Sequence, residues 1–440
     1  GRGPDVVLLT GLPQQPDELR PLASGLADTF RVHLVHLPGY GRSPAPALPY
    51  DFEAVEAQLA ADLRTAGVER AALVGMSGGA YRALSLALSG RLPIWAVATL
   101  GALGHVDEAN AQALAAYAGA LDAGMDLAAM AAERVYSAAY RAREPEAALD
   151  AMKALFGSLD RAVTAAELRA IVEAPDLRPR LHRLRVPVYL RVGALDLATP
   201  PALSEALLDL LPAARLERVE GVGHMLHHED FEGTLSGLRT FLFQALTPAE
   251  REPLVAKRLE NTPREPAALR RAVIALTKDL LGADYGSGFT LEDVGGTSVI
   301  SWGDGEGETY ARAVWLPFTG QPIGLEGTRW TPSWPDSIEA CQRFTGVGPQ
   351  VIEQHVEANP LFGDLYGKLG FVAQGRALLF DDRARFMAWI GAMSRRPIAP
   401  ETLEEASRHV PALRAALLRA DHLAGVPTHP DGHRYAFGRR

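Results

Sequence analysis

The 440-residue sequence predicts an α/β fold, a parallel sheet wrapped by helices, followed by a separate α+β domain. Three observations lead there. Short apolar runs alternate with helical patterns through the first half, as in a parallel sheet covered on both faces. Composition shifts near Leu246, where a polar stretch containing Pro248, Pro253 and Pro263 opens. The length also exceeds what one hydrophobic core usually organises.

The elements follow in order. Val6-Val7-Leu8-Leu9 is a continuous apolar run, suited to a strand buried on both faces. Residues 32–37 form a second strand candidate before the turn-rich Pro38-Gly39-Tyr40-Gly41. Phe52, Val55, Leu59 and Leu63 recur at helical spacing, with Asp51 placed to cap the first turn. Ala71-Ala72-Leu73-Val74 makes a third strand, and residues 80–87 read as the helix leaving it. Residues 95–100, 188–192 and 216–219 complete a set of six strands. Between the fourth and fifth, residues 105–180 are rich in Ala, Leu, Met and Glu and should be helical. That block reads as a cap over an active site, or alternatively as an extension of the helical layer.

Residues 1–246 thus make the first domain, 247–262 a linker and 263–440 the second domain. In the second, a helix over 267–281 precedes strand-like stretches at 288–291 and 298–302. Two further strands, 371–380 and 385–393, are joined by Asp381-Asp382-Arg383 as a hairpin. A final amphipathic helix over 401–418 carries Ala406, Val410, Leu413 and Leu417 along one face.

Composition narrows the function classes. A hydrophobic share of 48% with 22% charged residues is ordinary for a soluble globular protein. The net charge of −9 argues against a nucleic-acid partner. Cys341 is the single cysteine, so no intrachain disulfide forms and no oxidising compartment is required. It reads as a buried small residue rather than a nucleophile. No stretch is long and apolar enough for a bilayer, and no secretory signal opens the chain. A cytoplasmic location without membrane attachment is therefore expected.

Gly75-Met76-Ser77-Gly78-Gly79 matches G-x-S-x-G, directly between an apolar strand and a helix. That context is what a nucleophile elbow requires, because the sharp turn lifts the serine hydroxyl above the sheet. The Gly78 amide, at the positive end of the helix, would face a developing oxyanion. The alternative is a glycine-rich turn with an incidental serine. A serine hydroxyl needs a base, and the base an orienting acid, in the chain order serine, acid, histidine. Asp196 ends the fifth strand through Gly193-Ala194-Leu195, and His224 follows the sixth through Gly221-Val222-Gly223. His227 and His228 are rival bases. Asp209, Glu220 and Asp107 are less well placed acids. The second oxyanion donor is expected at the Leu12 amide, in the loop Thr10-Gly11-Leu12-Pro13 after the first strand.

These stretches, with His36-Leu37-Pro38-Gly39-Tyr40-Gly41-Arg42-Ser43, resemble the α/β-hydrolase family over about the first 245 residues. The resemblance implies a core sheet, a helical cap and a Ser77–Asp196–His224 triad, with Leu12 and Gly78 as oxyanion donors. It implies an ester, lactone, thioester or similar small acyl substrate, with no metal or organic cofactor. Thr10 replaces the usual histidine, His36 the usual aspartate, and Gln14-Gln15 add polar groups near the site. The family's antiparallel strands before the first parallel strand are missing, so the chain is trimmed or its sheet smaller.

Residues 255–425 are similar to GAF-type sensory domains, chiefly through Ala377-Leu378-Leu379-Phe380-Asp381-Asp382 and Phe386-Met387-Ala388-Trp389-Ile390-Gly391. Tyr310, Trp315, Phe318, Trp330 and Trp334 would line a pocket or form an ordinary aromatic core. His355, His409, His422, His429 and His433 show no metal-ligand spacing. Two further roles follow: a ligand-sensing regulatory protein that uses the α/β-hydrolase fold as a receptor together with this GAF-like domain or, for this half alone, a module for homodimerisation.

Overall fold

The computed structural model describes residues 1–291, 299–303, 353–355, 370–380 and 386–423. They fall into two compact units, Gly1–Leu235 and Ser236–Arg440.

The first unit is built on a six-stranded, wholly parallel sheet of β1 (Asp5–Leu9), β2 (Arg31–Leu34), β3 (Ala71–Met76), β4 (Ile94–Leu100), β5 (Val188–Gly193) and β6 (Ala214–Val219). The spatial order is β2-β1-β3-β4-β5-β6. All six residues of β3 and of β5 are buried, as expected where helices cover both faces. The edge strands β2 and β6 are largely half-buried. Around the sheet lie α1 (Arg20–Leu26), α2 (Phe52–Thr65), capped by the Asp51 carboxylate accepting from the Ala54 amide, and α3 (Gly78–Ser89).

Between β4 and β5 the chain forms five helices: α4 (Glu108–Asp122), α5 (Ala128–Val135), α6 (Ala138–Arg143), α7 (Pro145–Ser158) and α8 (Arg161–Val172). Asp107, Ser137 and Asp160 each cap one of them by accepting backbone amides. This is the helical block expected from composition. One buried ion pair fastens it to the sheet layer: Arg82 of α3 donates to Glu167 of α8 at 2.9 Å, and both side chains are almost wholly buried. Helices α9 (Pro201–Leu208) and α10 (Leu226–Glu229) follow β5 and β6.

The second unit takes up most of α11 (Phe231–Ala245), then α12 (Pro248–Asn261) and α13 (Pro266–Leu281). The polar stretch at 247–262, read as a linker, is helical: Thr247 and Glu250 form a capping box with Pro248 in the first turn. Thr240 of α11 and Arg258 of α12 both donate to the buried Asp279 of α13, each at 2.6 Å. A five-stranded antiparallel sheet follows: β7 (Tyr285–Leu291), β8 (Val299–Gly303), β9 (Glu353–His355), β10 (Ala373–Phe380) and β11 (Phe386–Ser394), in the order β8-β7-β11-β10-β9. The closing helix α14 (Pro400–Leu423) buries Ala406, Val410, Leu413 and Leu417, the face the periodicity marked. The turn at 381–383, the aromatic residues from Tyr310 to Trp334, Cys341, His429 and His433 lie outside the described residues.

Candidate active site

Ser77 stands at the turn between β3 and α3 with φ 52° and ψ −120°. Among the described residues it is the one non-glycine with positive φ. A β-carbon disfavours that conformation, so the neighbouring structure must hold it. It does so through the Ser77 amide, which donates to the Leu100 carbonyl at 2.8 Å, and the Ser77 carbonyl, which accepts from the Ala80 amide at 2.8 Å. A β-carbon at position 75 would lie 2.2 Å from the Gly79 carbonyl oxygen, so strand and helix approach too closely there for any side chain.

Asp196 and His224 meet above the ends of β5 and β6. The His224 Nδ1–H donates to Asp196 Oδ2 at 2.7 Å, and both side chains are buried. The carboxylate also accepts from the amides of Ala198 and Thr199, each at 2.8 Å, and from the Thr199 hydroxyl at 2.9 Å. Such an array holds the carboxylate and, through it, the imidazole plane. With Nδ1 committed as donor, Nε2 is left as the basic nitrogen. The His224 and Met225 amides donate to the Val135 carbonyl at the end of α5, so that helix anchors the histidine loop.

One cavity of about 130 Å³ is lined by Ser77, His224, Leu12 and Gly78 together with side chains of the five-helix block. Leu12 and Gly78 are neighbours: a β-carbon at 78 would come within 2.1 Å of the Leu12 side chain. As the first residue of α3, Gly78 has an amide without an intrahelical acceptor. Most of the remaining wall is apolar, including Leu103, Met152, Leu155 and Phe156.

The alternative acids are placed elsewhere. Asp107 caps α4, Asp209 follows α9, and exposed Glu220 contacts Arg218. The rival histidines serve another network. Gln14 accepts from the Gly11 amide at 2.8 Å and donates through Nε2 to His227 Nε2 at 3.0 Å. The His227 proton therefore sits on Nδ1, and burial depresses the pKa of this ring well below the ordinary range. His228 Nδ1 pairs with the Tyr136 hydroxyl at 2.6 Å, and burial lowers its pKa to about 4. Ligand atoms of Glu18, His227 and His228 lie within 4.8 Å of one another. One nitrogen of each ring is already engaged by Gln14 or Tyr136.

Thr199 and Gly101 were not among the site residues expected from sequence, whereas Gln14 was expected as a polar group near the site. Thr199 had a signal, because an aspartate followed three residues later by threonine is a common local turn in which the carboxylate accepts nearby amides. Gly101 had none: a β-carbon there would meet Thr199 Oγ1 at 2.6 Å and Asp196 Oδ2 at 3.2 Å, partners remote in the chain.

Among the described residues no helix is long and apolar enough to cross a membrane. The sequence pattern of the alpha/beta hydrolase fold matches residues 4–231. Polyketide synthase ThaQ of Burkholderia thailandensis is 34% identical over 261 residues, covering 57% of this chain but 12% of that protein. The chain thus spans only a small part of that relative's length. The pimeloyl-[acyl-carrier protein] methyl ester esterase of Chromobacterium violaceum is 32% identical over 250 residues, covering 54% of this chain and 94% of the esterase. The solved structure of a thermophilic esterase from Thermogutta terrifontis superposes with a TM-score of 0.53 at 24% identity, over 56% of this chain and 92% of that one, a likeness of fold. With the family pattern spanning more than half of its length, the chain belongs to the α/β-hydrolase fold family, as an esterase-like hydrolase.

Proposed function

We propose that the first unit is a serine hydrolase that cleaves an ester, lactone, thioester or related acyl bond through an acyl-enzyme, with Ser77, His224 and Asp196 as its triad. The observation that carries this reading is the strained Ser77 in one cavity with a His224 whose Nδ1–H is committed to a fully engaged Asp196. Ser77 Oγ attacks the carbonyl carbon while its proton passes to His224 Nε2. The carbonyl π pair moves onto oxygen, where the Leu12 and Gly78 amides receive the negative charge. Collapse expels the alcohol or thiol, which takes the proton from His224. Water, deprotonated by the same nitrogen, attacks the acyl-enzyme, and the returning proton restores Ser77. Asp196 stays ionised and stabilises the imidazolium. Hydrolysis of short-chain nitrophenyl esters tests the reading: wild type turns over with an initial burst, and Ser77→Ala loses at least about 10³-fold in kcat. Undiminished turnover in Ser77→Ala would reject Ser77 as nucleophile.

A second reading concerns the other unit. A five-stranded antiparallel sheet with long helices favours a GAF-like sensory domain that couples ligand binding to regulation. Small acyl metabolites that still shift the thermal stability of the full-length protein after Ser77 has been blocked by a fluorophosphonate would favour it.

A further inference from the structure

The cavity wall contains a cation that the hydrolytic steps do not use. Arg134, in the last turn of α5, lines the same space as Ser77 and His224, surrounded mainly by apolar side chains. Among the described residues it forms no ion pair; its one polar contact is Nη2 donating to Asn110 Oδ1 at 3.5 Å. The nearby Asp107 is occupied as the cap of α4, accepting from the Asn110 amide at 2.8 Å and from Asn110 Nδ2 at 3.3 Å. Tyr117 lies two turns beyond Asn110 on α4 and also lines the cavity. Burial raises its pKa, so its hydroxyl stays protonated as a donor. The position of Arg134 relative to the reacting centre is set by backbone: the next residue, Val135, accepts the His224 and Met225 amides at 2.8 and 3.2 Å.

Arg134 is half-buried on an apolar wall without a counter-charge, so an anion entering the cavity would complete it, and a planar carboxylate matches its fork. We propose that the substrate is an anionic acyl compound: an ester or lactone on an apolar chain whose ionised carboxylate docks on Arg134 and the Tyr117 hydroxyl while its scissile carbonyl meets Ser77. This rests on the serine hydrolase reading above. Asn110 orients the guanidinium, and the apolar wall takes the chain between the two ends.

The test compares monomethyl and dimethyl esters of succinate, adipate and suberate, which differ in one charge. Wild type prefers a monoester by about tenfold or more in kcat/KM, the range of a charge-assisted hydrogen bond. Arg134→Gln collapses that ratio, and Arg134→Lys retains part of it. In parallel, calorimetric titration of full-length Ser77→Ala reads binding without turnover. The monoester binds more tightly than its diester, and the added Arg134→Gln change removes the difference. Equal handling of charged and neutral esters, or a preference that survives Arg134→Gln, overturns the proposal. Fluorophosphonate labelling of Ser77 separates the two levels. Labelling without a monoester preference sinks only the substrate class. Absence of labelling sinks the hydrolase, and the Ser77→Ala titration then decides alone whether Arg134 binds carboxylates.

Discussion

The backbone of Ser77 is held in a conformation that a β-carbon disfavours. At φ 52° and ψ −120° a residue with a β-carbon costs on the order of 1–3 kcal/mol. Ser77→Gly should therefore raise the unfolding free energy by about 1 kcal/mol while removing turnover. A melting temperature equal to or below wild type would contradict the strain. Gln14 has a quieter role, tying the Gly11 amide to a neutral His227. Gln14→Leu should lower kcat about tenfold, with KM nearly unchanged, by loosening the loop that presents the Leu12 amide. His228 titrates near 4 when folded, against an ordinary 6.5. The unfolded chain thus binds more protons between those values, so stability is full above pH about 6.5 and falls as pH drops toward about 4. Thermal melts across that range should show the loss, reduced in His228→Gln. Ser77 was legible in the sequence because its signal is five adjacent residues between strand and helix. The Gln14–His227 contact was not, because 213 positions separate its members.

Among elements, the join between α3 and the five-helix block is the most demanding. Arg82 and Glu167 bury a charge pair, with the Tyr50 hydroxyl donating to the same carboxylate oxygen at 2.9 Å and the guanidinium 3.9 Å from the Phe52 ring centre. Removing one charge leaves the other buried and alone. Arg82→Met should cost about 3–5 kcal/mol, measured by urea unfolding, and the Arg82→Met/Glu167→Met double variant should recover much of it. Additive losses in the double variant would mean that the two charges are not coupled. The helical character of this block was readable from its Ala and Leu content, and the six strands from their apolar runs. The ion pair was not: its members stand 85 positions apart, and on a helix either charge reads as solvent-facing. Likewise the helix at 248–261 was masked by its prolines: Pro248 opens it, where proline is tolerated best, but Pro253 lies inside it.

At the scale of the whole molecule, two compact units each carry their own sheet and buried core. Calorimetry should resolve two unfolding transitions, and a covalent serine inhibitor should raise only one of them. A single transition raised as a whole would show the units melting together. The first unit was legible because each strand, turn and cap speaks locally and in a fixed order. The second was read only coarsely, as helices and strands, because antiparallel pairing between β7 and β11 joins residues about a hundred positions apart and local patterning does not encode the partner. The proposed chemistry rests on one serine, activated by His224 and Asp196. The direct measurement is mass spectrometry of tryptic peptides after fluorophosphonate treatment of wild type and of His224→Ala. One modified site is expected, at Ser77, with labelling at least about a hundredfold slower in His224→Ala. Modification elsewhere, or equal rates in the two proteins, would contradict it.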